Sequence, residues 1–258
     1  VSAARPLILI PHPDDEVVGC AMAILRARAA GAEISGLYLT TGIPARERVW
    51  PWRRSRYASL VARRRDEAGR AAAALGIAPV GFLDWPSRSL KSHLDEAMAA
   101  ISRAIADRSI DELWAPAWEG GHQDHDVTNF LSARFADKVP VREFAEYNYA
   151  GGGVRSQSFP QPNGTEEILT LTVEETRFKA GLISIYRSER LNLRYVRLER
   201  ESLRPLARYD YGAAPHSGRL FCERFQWAPL RHPSVDFEPS GAVRATLAAW
   251  RQAAAPLR

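Results

Sequence analysis

A chain of 258 residues, 46% hydrophobic and 25% charged, suits one α/β domain or one domain with an added lobe. No apolar run approaches the roughly 20 residues needed to span a bilayer, which argues against a membrane span. The net charge of +5 comes without a recognisable DNA or RNA module, so nucleic acid is not an expected partner.

Cys20 and Cys222 are the only cysteines and have no CxxC spacing, which excludes a disulfide framework and a thiolate zinc site. The first residues lack the long apolar core of a signal peptide, and residues 7–10 are too short to serve as one, so the cytoplasm is the expected compartment. The chain opens on Val1 rather than Met, which fits a trimmed start. No motif sets an oligomeric state.

Residues 7–10 read as a short buried strand that empties into Pro11-His12-Pro13-Asp14-Asp15-Glu16, ahead of a helix-like run over 17–30 that stops at Gly31. Such a loop places one histidine and three acids at the strand's carboxyl end, where open α/β sheets bind ligands. Pro11 and Pro13 stiffen the turn, and an imidazole and a carboxylate three residues apart can converge on one cation. Zinc takes that mixture of ligands. Acids at this position also serve as helix caps, and this loop alone does not decide between the two roles.

Residues 34–40 read as a second strand, opening into a long polar loop that holds Trp50-Pro51-Trp52, tryptophans suited to stacking on a sugar or to anchoring the core. Residues 56–75 form a long helix pattern with Arg64 and Glu67 one turn apart. The arginines clustered from Arg53 to Arg65 suit solvated helix faces or an anionic or polyol substrate. A strand at 80–83, a helix at 93–107 and a strand at 112–115 continue the alternation. It implies right-handed crossovers and a Rossmann-like, mostly parallel sheet flanked by helices. No Gly-x-Gly-x-x-Gly follows the first strand, so a dinucleotide is not expected. Strands at 141–147 and 168–173 and a helix at 174–186 follow. Beyond Arg190 the pattern weakens, with short strands around 220–225. The expected organisation is a single α/β domain over 1–258. Its core covers 1–150, and an irregular C-terminal extension, 151–258, completes the substrate pocket.

After the fourth strand comes Glu119-Gly120-Gly121-His122-Gln123-Asp124-His125-Asp126. If strands one and four are neighbours where strand order reverses, this loop faces the first across a crevice. The two glycines free the backbone to bring His122 and His125 inward. His12, Asp15 and His125 then make a three-ligand set with an open fourth position, the arrangement of a catalytic zinc. Asp14 is placed to act as general base. His122 would stabilise the oxyanion or protonate the leaving amine, with Asp124 holding its tautomer. Glu16 is assigned a hydrogen bond that orients a ligand from behind. A capped helix start with surface histidines is the plainer account of the second loop. His93, His216 and His232 have no acidic neighbours and read as surface or packing residues.

The pair of motifs, Pro-His-Pro-Asp-Asp-Glu and Gly-His-Gln-Asp-His, resembles the PIG-L/LmbE-like zinc-dependent N-deacetylases. The likeness is strong over the first half of the chain. Arg64 and Glu67 resemble that family's Arg-x-x-Glu helix, and Lys179 with Tyr186 and Ser188 is a fainter likeness. The resemblance implies His12, Asp15 and His125 as zinc ligands, Asp14 as base, His122 oriented by Asp124, and Arg64 as a substrate contact. Gln123 stands where proline is frequent. Gly120 stands where some members carry a tyrosine, which leaves oxyanion stabilisation more to zinc and His122. The expected activity is removal of an acetyl or similar acyl group from the amine of an N-acylated amino sugar or glycoconjugate. The alternatives are a carbohydrate-binding protein without turnover and a metal-dependent phosphoesterase, though the latter would favour oxygen ligands.

Overall fold

The computed structural model describes residues 3–225 and 237–253; His232 lies outside them. Strand β1 (Pro6–Ile10) is wholly buried. Leu7 and Leu9 enter one apolar core and Ile8 and Ile10 the other, the alternation that a strand imposes. The elements that follow are α1 (Asp15–Ala29), β2 (Ser35–Tyr38), α2 (Tyr57–Leu75), β3 (Ala78–Phe82) and α3 (Leu94–Arg108). Next come β4 (Glu112–Pro116), α4 (Gln123–Ala133) and β5 (Val141–Phe144).

A short antiparallel ribbon, β6 (Tyr147–Asn148) with β7 (Arg155–Ser156), leads to β8 (Glu167–Thr170), α5 (Val173–Ile185), β9 (Arg200–Pro205) and α6 (Ser240–Ala253). The main sheet has seven strands in the order β3-β2-β1-β4-β5-β9-β8. It is parallel from β3 to β5, and β9 and β8 join antiparallel. Helices α1, α2 and α5 cover one face, and α3, α4 and α6 the other. β1 pairs with β2 on one side and β4 on the other, so strand order reverses there and the two motif loops share one carboxyl edge.

Four expectations change. The strand expected over 141–147 breaks after Phe144, which turns Glu146 toward the sheet edge. The second motif is no mere loop, because α4 begins at Gln123 with His122 as its N-cap. Beyond Arg190, β9 joins the main sheet and α6 packs on it, two regular elements in a stretch expected to be irregular. Residues 220–225 hold a short helical turn, Phe221–Glu223, in place of strands.

Helix α1 is broken at Cys20 (φ −147°, ψ 25°), and the break has a visible cause. The Glu201 carboxylate, from β9, accepts from the Met22 and Ala23 amides at 3.0 and 2.9 Å. On the other side of the break, Lys179 Nζ and Gln157 Nε2 donate to the Val18 carbonyl at 2.9 and 2.6 Å. Lys179 and Glu201 pair at 2.7 Å with both side chains fully buried. The ladder opened by the kink is thus resatisfied by side chains.

Candidate metal centre

The first loop turns on Asp14, whose φ of 130° lies in the left-handed region. Its backbone amide donates to Glu16 Oε2 at 3.1 Å, and Tyr186 OH holds the other oxygen of Glu16. Glu16 therefore fixes the backbone of Asp14, not a side chain that could hold metal, which corrects the expectation. The Asp14 side chain makes no capping bond to α1. Its Oδ2 accepts instead from Arg64 Nη2 at 3.2 Å. Arg64 is buried, with Ser188 Oγ at 3.3 Å and Glu189 Oε1 at 3.6 Å. It lines the cavity while committed to Asp14, which narrows its expected role as a substrate contact. Glu67, one turn on, accepts from the Ser188 amide and hydroxyl and so fixes that segment to α2.

The two motif loops meet. His12 Nδ1 lies 3.1 Å from His125 Nε2 and 3.4 Å from Asp15 Oδ2, and His125 Nε2 lies 3.3 Å from Asp15 Oδ1. Behind His12, its Nε2 bonds Asp124 Oδ2 at 3.0 Å, which turns Nδ1 toward His125. Asp124 also accepts from the Arg88 and Leu90 amides and from Ser87 Oγ, tying the segment after β3 to the site. Its carboxylate is 3.7 Å from His122 Nδ1, beyond hydrogen-bond reach. Asp124 therefore orients His12; the expectation that it holds His122 is corrected. His122 Nδ1 accepts from the Asp124 amide at 3.1 Å, so its proton sits on Nε2 when the ring is neutral.

The glycines act as expected at two positions. Gly120 has φ +69°, and a Cβ at Gly121 would come within 2.4 Å of the Tyr147 carbonyl oxygen.

Glu146 was missed by sequence reasoning. It is fully buried with neither oxygen hydrogen-bonded, and Oε1 stands 3.8 Å from His125 Nδ1, which is also buried and unbonded. Its one sequence signal is the same as for His12: an acid just past a buried parallel strand. His12, His122 and His125 form one cluster able to hold a metal ion, and Asp15, His125 and Glu146 a second. The electrostatics fit a cation. Burial alone would lower the His12 pKa, but Asp15 and Asp124 push it up to about 10. Burial raises Asp14 well above the usual carboxylate range, against the pull of Arg64. Two imidazole nitrogens 3.1 Å apart, with Asp15 carboxylate oxygens 3.3–3.4 Å from them, suit a positive charge at their centre. Those separations match the edge of a tetrahedron around an ion with bonds of about 2.0–2.1 Å.

His93 stacks on Trp85 at 4.5 Å and, contrary to expectation, has an acidic neighbour, Glu96 Oε1 at 3.9 Å, while His216 is buried with Nδ1 bonded to the Ser217 carbonyl. Trp50 and Trp52 stack on each other at 4.8 Å, and Trp50 lines the cavity. Among the described residues no helix is long and apolar enough to cross a membrane.

Solved structures similar to this chain include a deacetylase of teicoplanin biosynthesis, at 19% identity and a TM-score of 0.63 over 80% of this chain and 99% of that one. A zinc-inhibited form of teicoplanin deacetylase Orf2 matches at 19% identity and a TM-score of 0.59, over 80% of this chain and 99% of that one. The N,N'-diacetylchitobiose deacetylase of Pyrococcus horikoshii matches at 17% identity and a TM-score of 0.56, over 79% and 84% of the two chains. GalB, a 4-carboxy-2-hydroxymuconate hydratase of Pseudomonas putida KT2440, has the same fold at 17% identity and a TM-score of 0.55, over 80% and 97%. No curated protein matches. The family model described as PIG-L, GlcNAc-PI de-N-acetylase, covers residues 7–136, just over half the chain and both motif loops, and this chain belongs to that family.

Proposed function

We propose that this protein is a zinc-dependent hydrolase that removes an acetyl or similar acyl group from the amine of an N-acylated amino sugar or glycoconjugate. The observation that carries the reading is the convergence of His12, Asp15 and His125 within 3.4 Å, with Asp14 beside them at the floor of a cavity. His12, Asp15 and His125 would hold the metal, backed by Asp124 and Glu146. Zinc, when bound, supplies Lewis acidity that polarises the amide carbonyl and lowers the pKa of water toward about 7.

The chain's own groups do the rest. Asp14, held by Glu16 and Arg64, takes the proton of the attacking water. His122 presents Nε2–H to the reacting carbonyl and steadies the oxyanion, and the proton that Asp14 has taken passes to the departing amine. The segments around residues 187–195 and 220–225 complete the walls of the pocket, which makes the region beyond residue 150 the substrate-facing extension of a single domain. The cytoplasm is its proposed compartment.

The test is release of free amine from N-acetylglucosamine derivatives with one equivalent of zinc, since teicoplanin deacetylase Orf2 has been solved in a zinc-inhibited form. Asp14→Asn should retain metal and lose about 10²–10⁴-fold in turnover. His12→Ala should lose both. Binding without amine release would instead favour a carbohydrate-binding protein, and full activity in Asp14→Asn would remove that residue from the base role.

A further inference from the structure

The cavity above the candidate centre has a volume of about 900 Å³, room for more than one sugar ring. Its buried acids are Asp14, Asp15 and Glu146, while Glu189 and most of its arginines are more exposed. Asp14, Asp15 and Glu146 lie on the floor with the histidines. The mouth is arginine-rich, with Arg53, Arg187, Arg190, Arg194 and Arg224 all facing the cavity. Some of the chain's other arginines are paired, as Arg26 is with Glu175 and Arg204 with Glu143. None of the five at the mouth has a carboxylate within 4.0 Å among the described residues.

Arg224 is the most telling of them. Its guanidinium lies 3.5 Å from the Phe221 ring centroid, and Nη1 donates to the Phe221 carbonyl at 2.7 Å. Burial pulls its pKa down, and no carboxylate offsets the loss. A half-buried guanidinium over an aromatic ring costs desolvation unless an anion reaches it. Phe221 continues into Tyr147 and Tyr195, ring centroids 4.7 and 5.3 Å away, so an apolar wall runs from the floor up to this cation.

We propose that the substrate carries an oxyanion group, phosphate or carboxylate, on the part remote from the acyl amide, and that Arg190 and Arg224 with the neighbouring mouth arginines hold it. This rests on the reading that the cavity floor takes an N-acyl amino sugar. Arginine binds both oxyanions through paired N–H donors, and the floor acids repel a misplaced anion, which fixes the substrate's direction.

The test compares N-acetylglucosamine, N-acetylglucosamine 1-phosphate and N-acetylmuramic acid on the zinc-loaded full chain, by calorimetry and, separately, by amine release. At low salt at least one anionic sugar should bind about tenfold or more tightly than the neutral one, and the preference should shrink as salt rises. The phosphate and carboxylate sugars distinguish the two anion sources. Arg190→Gln with Arg224→Gln should abolish the preference, lowering affinity for the anionic sugar far more than for the neutral one. Arg224→Lys, which keeps charge but loses the stacked fork, should retain only part of it. Equal affinities, no detectable binding of either anionic sugar, or a preference that survives the double variant would each overturn the proposal. Amine release reports independently on the deacetylase reading, so anion-selective binding without release would count against that reading alone.

Discussion

Asp14 and His125 each depend on one buried neighbour. Asp14 sits at φ 130° because Glu16 holds its amide and Tyr186 holds Glu16. Tyr186→Phe should lower kcat several-fold with zinc affinity unchanged, and a parallel loss of metal in a chelator competition would show a broader collapse of the loop. Glu146 faces His125 Nδ1 at 3.8 Å and also belongs to the Asp15–His125–Glu146 cluster. Glu146→Gln should weaken zinc binding by about 10–100-fold, as loss of a carboxylate behind a ligating histidine does, measured by the same competition. The residues on the motif loops were legible because polar groups past a buried strand have few reasons to be there. Which partner each polar group takes was not legible: Asp124 serves a histidine more than a hundred positions away, and Glu16 serves a backbone amide. Such choices depend on distances of a few tenths of an ångström, which spacing along a chain does not encode.

Among the elements, α1 depends most on a distant part of the chain. The Lys179–Glu201 pair closes hydrogen bonds that the break at Cys20 leaves open. Lys179→Met should destabilise the fold by about 3–5 kcal/mol in urea unfolding, the cost of stranding a buried charge. Adding Glu201→Leu should not restore stability, because the Met22 and Ala23 amides then lose their acceptor. Recovery would mean that the pair is an ordinary ion pair with no part in the kink. The same pairing explains an element that the sequence hides. β9 reads Arg-Glu-Ser-Leu-Arg-Pro, hardly a core strand, yet Glu201 and Arg204 are buried because Lys179 and Glu143 meet them. Strands β1 to β4 needed no such help, since plain apolar runs between helix patterns identify them.

Across the whole molecule, the antiparallel edge is fastened by charge. Arg204 joins Glu143 on β5 to Glu166 in the turn before β8, at 2.6 and 2.9 Å. Glu166 also accepts from the Asn163 and Gly164 amides, and these bonds together with Arg204 lower its pKa to about 2. A carboxyl depressed in this way stabilises the fold above its unfolded value near 4.5, and that contribution is lost as pH falls toward 2. Glu166→Gln should therefore be less stable than the parent above about pH 5, with the gap in urea midpoint closing as the medium is acidified. A gap independent of pH would assign the loss to the turn's geometry instead. The two cysteines differ in access: Cys20 is buried inside the kinked helix, and Cys222 is partly exposed on the cavity wall. Thiol labelling can therefore time two separate events in the unmodified chain. Alkylation at position 222 should slow when a ligand fills the cavity, whereas alkylation at position 20 should wait for α1 to open and so keep pace with unfolding.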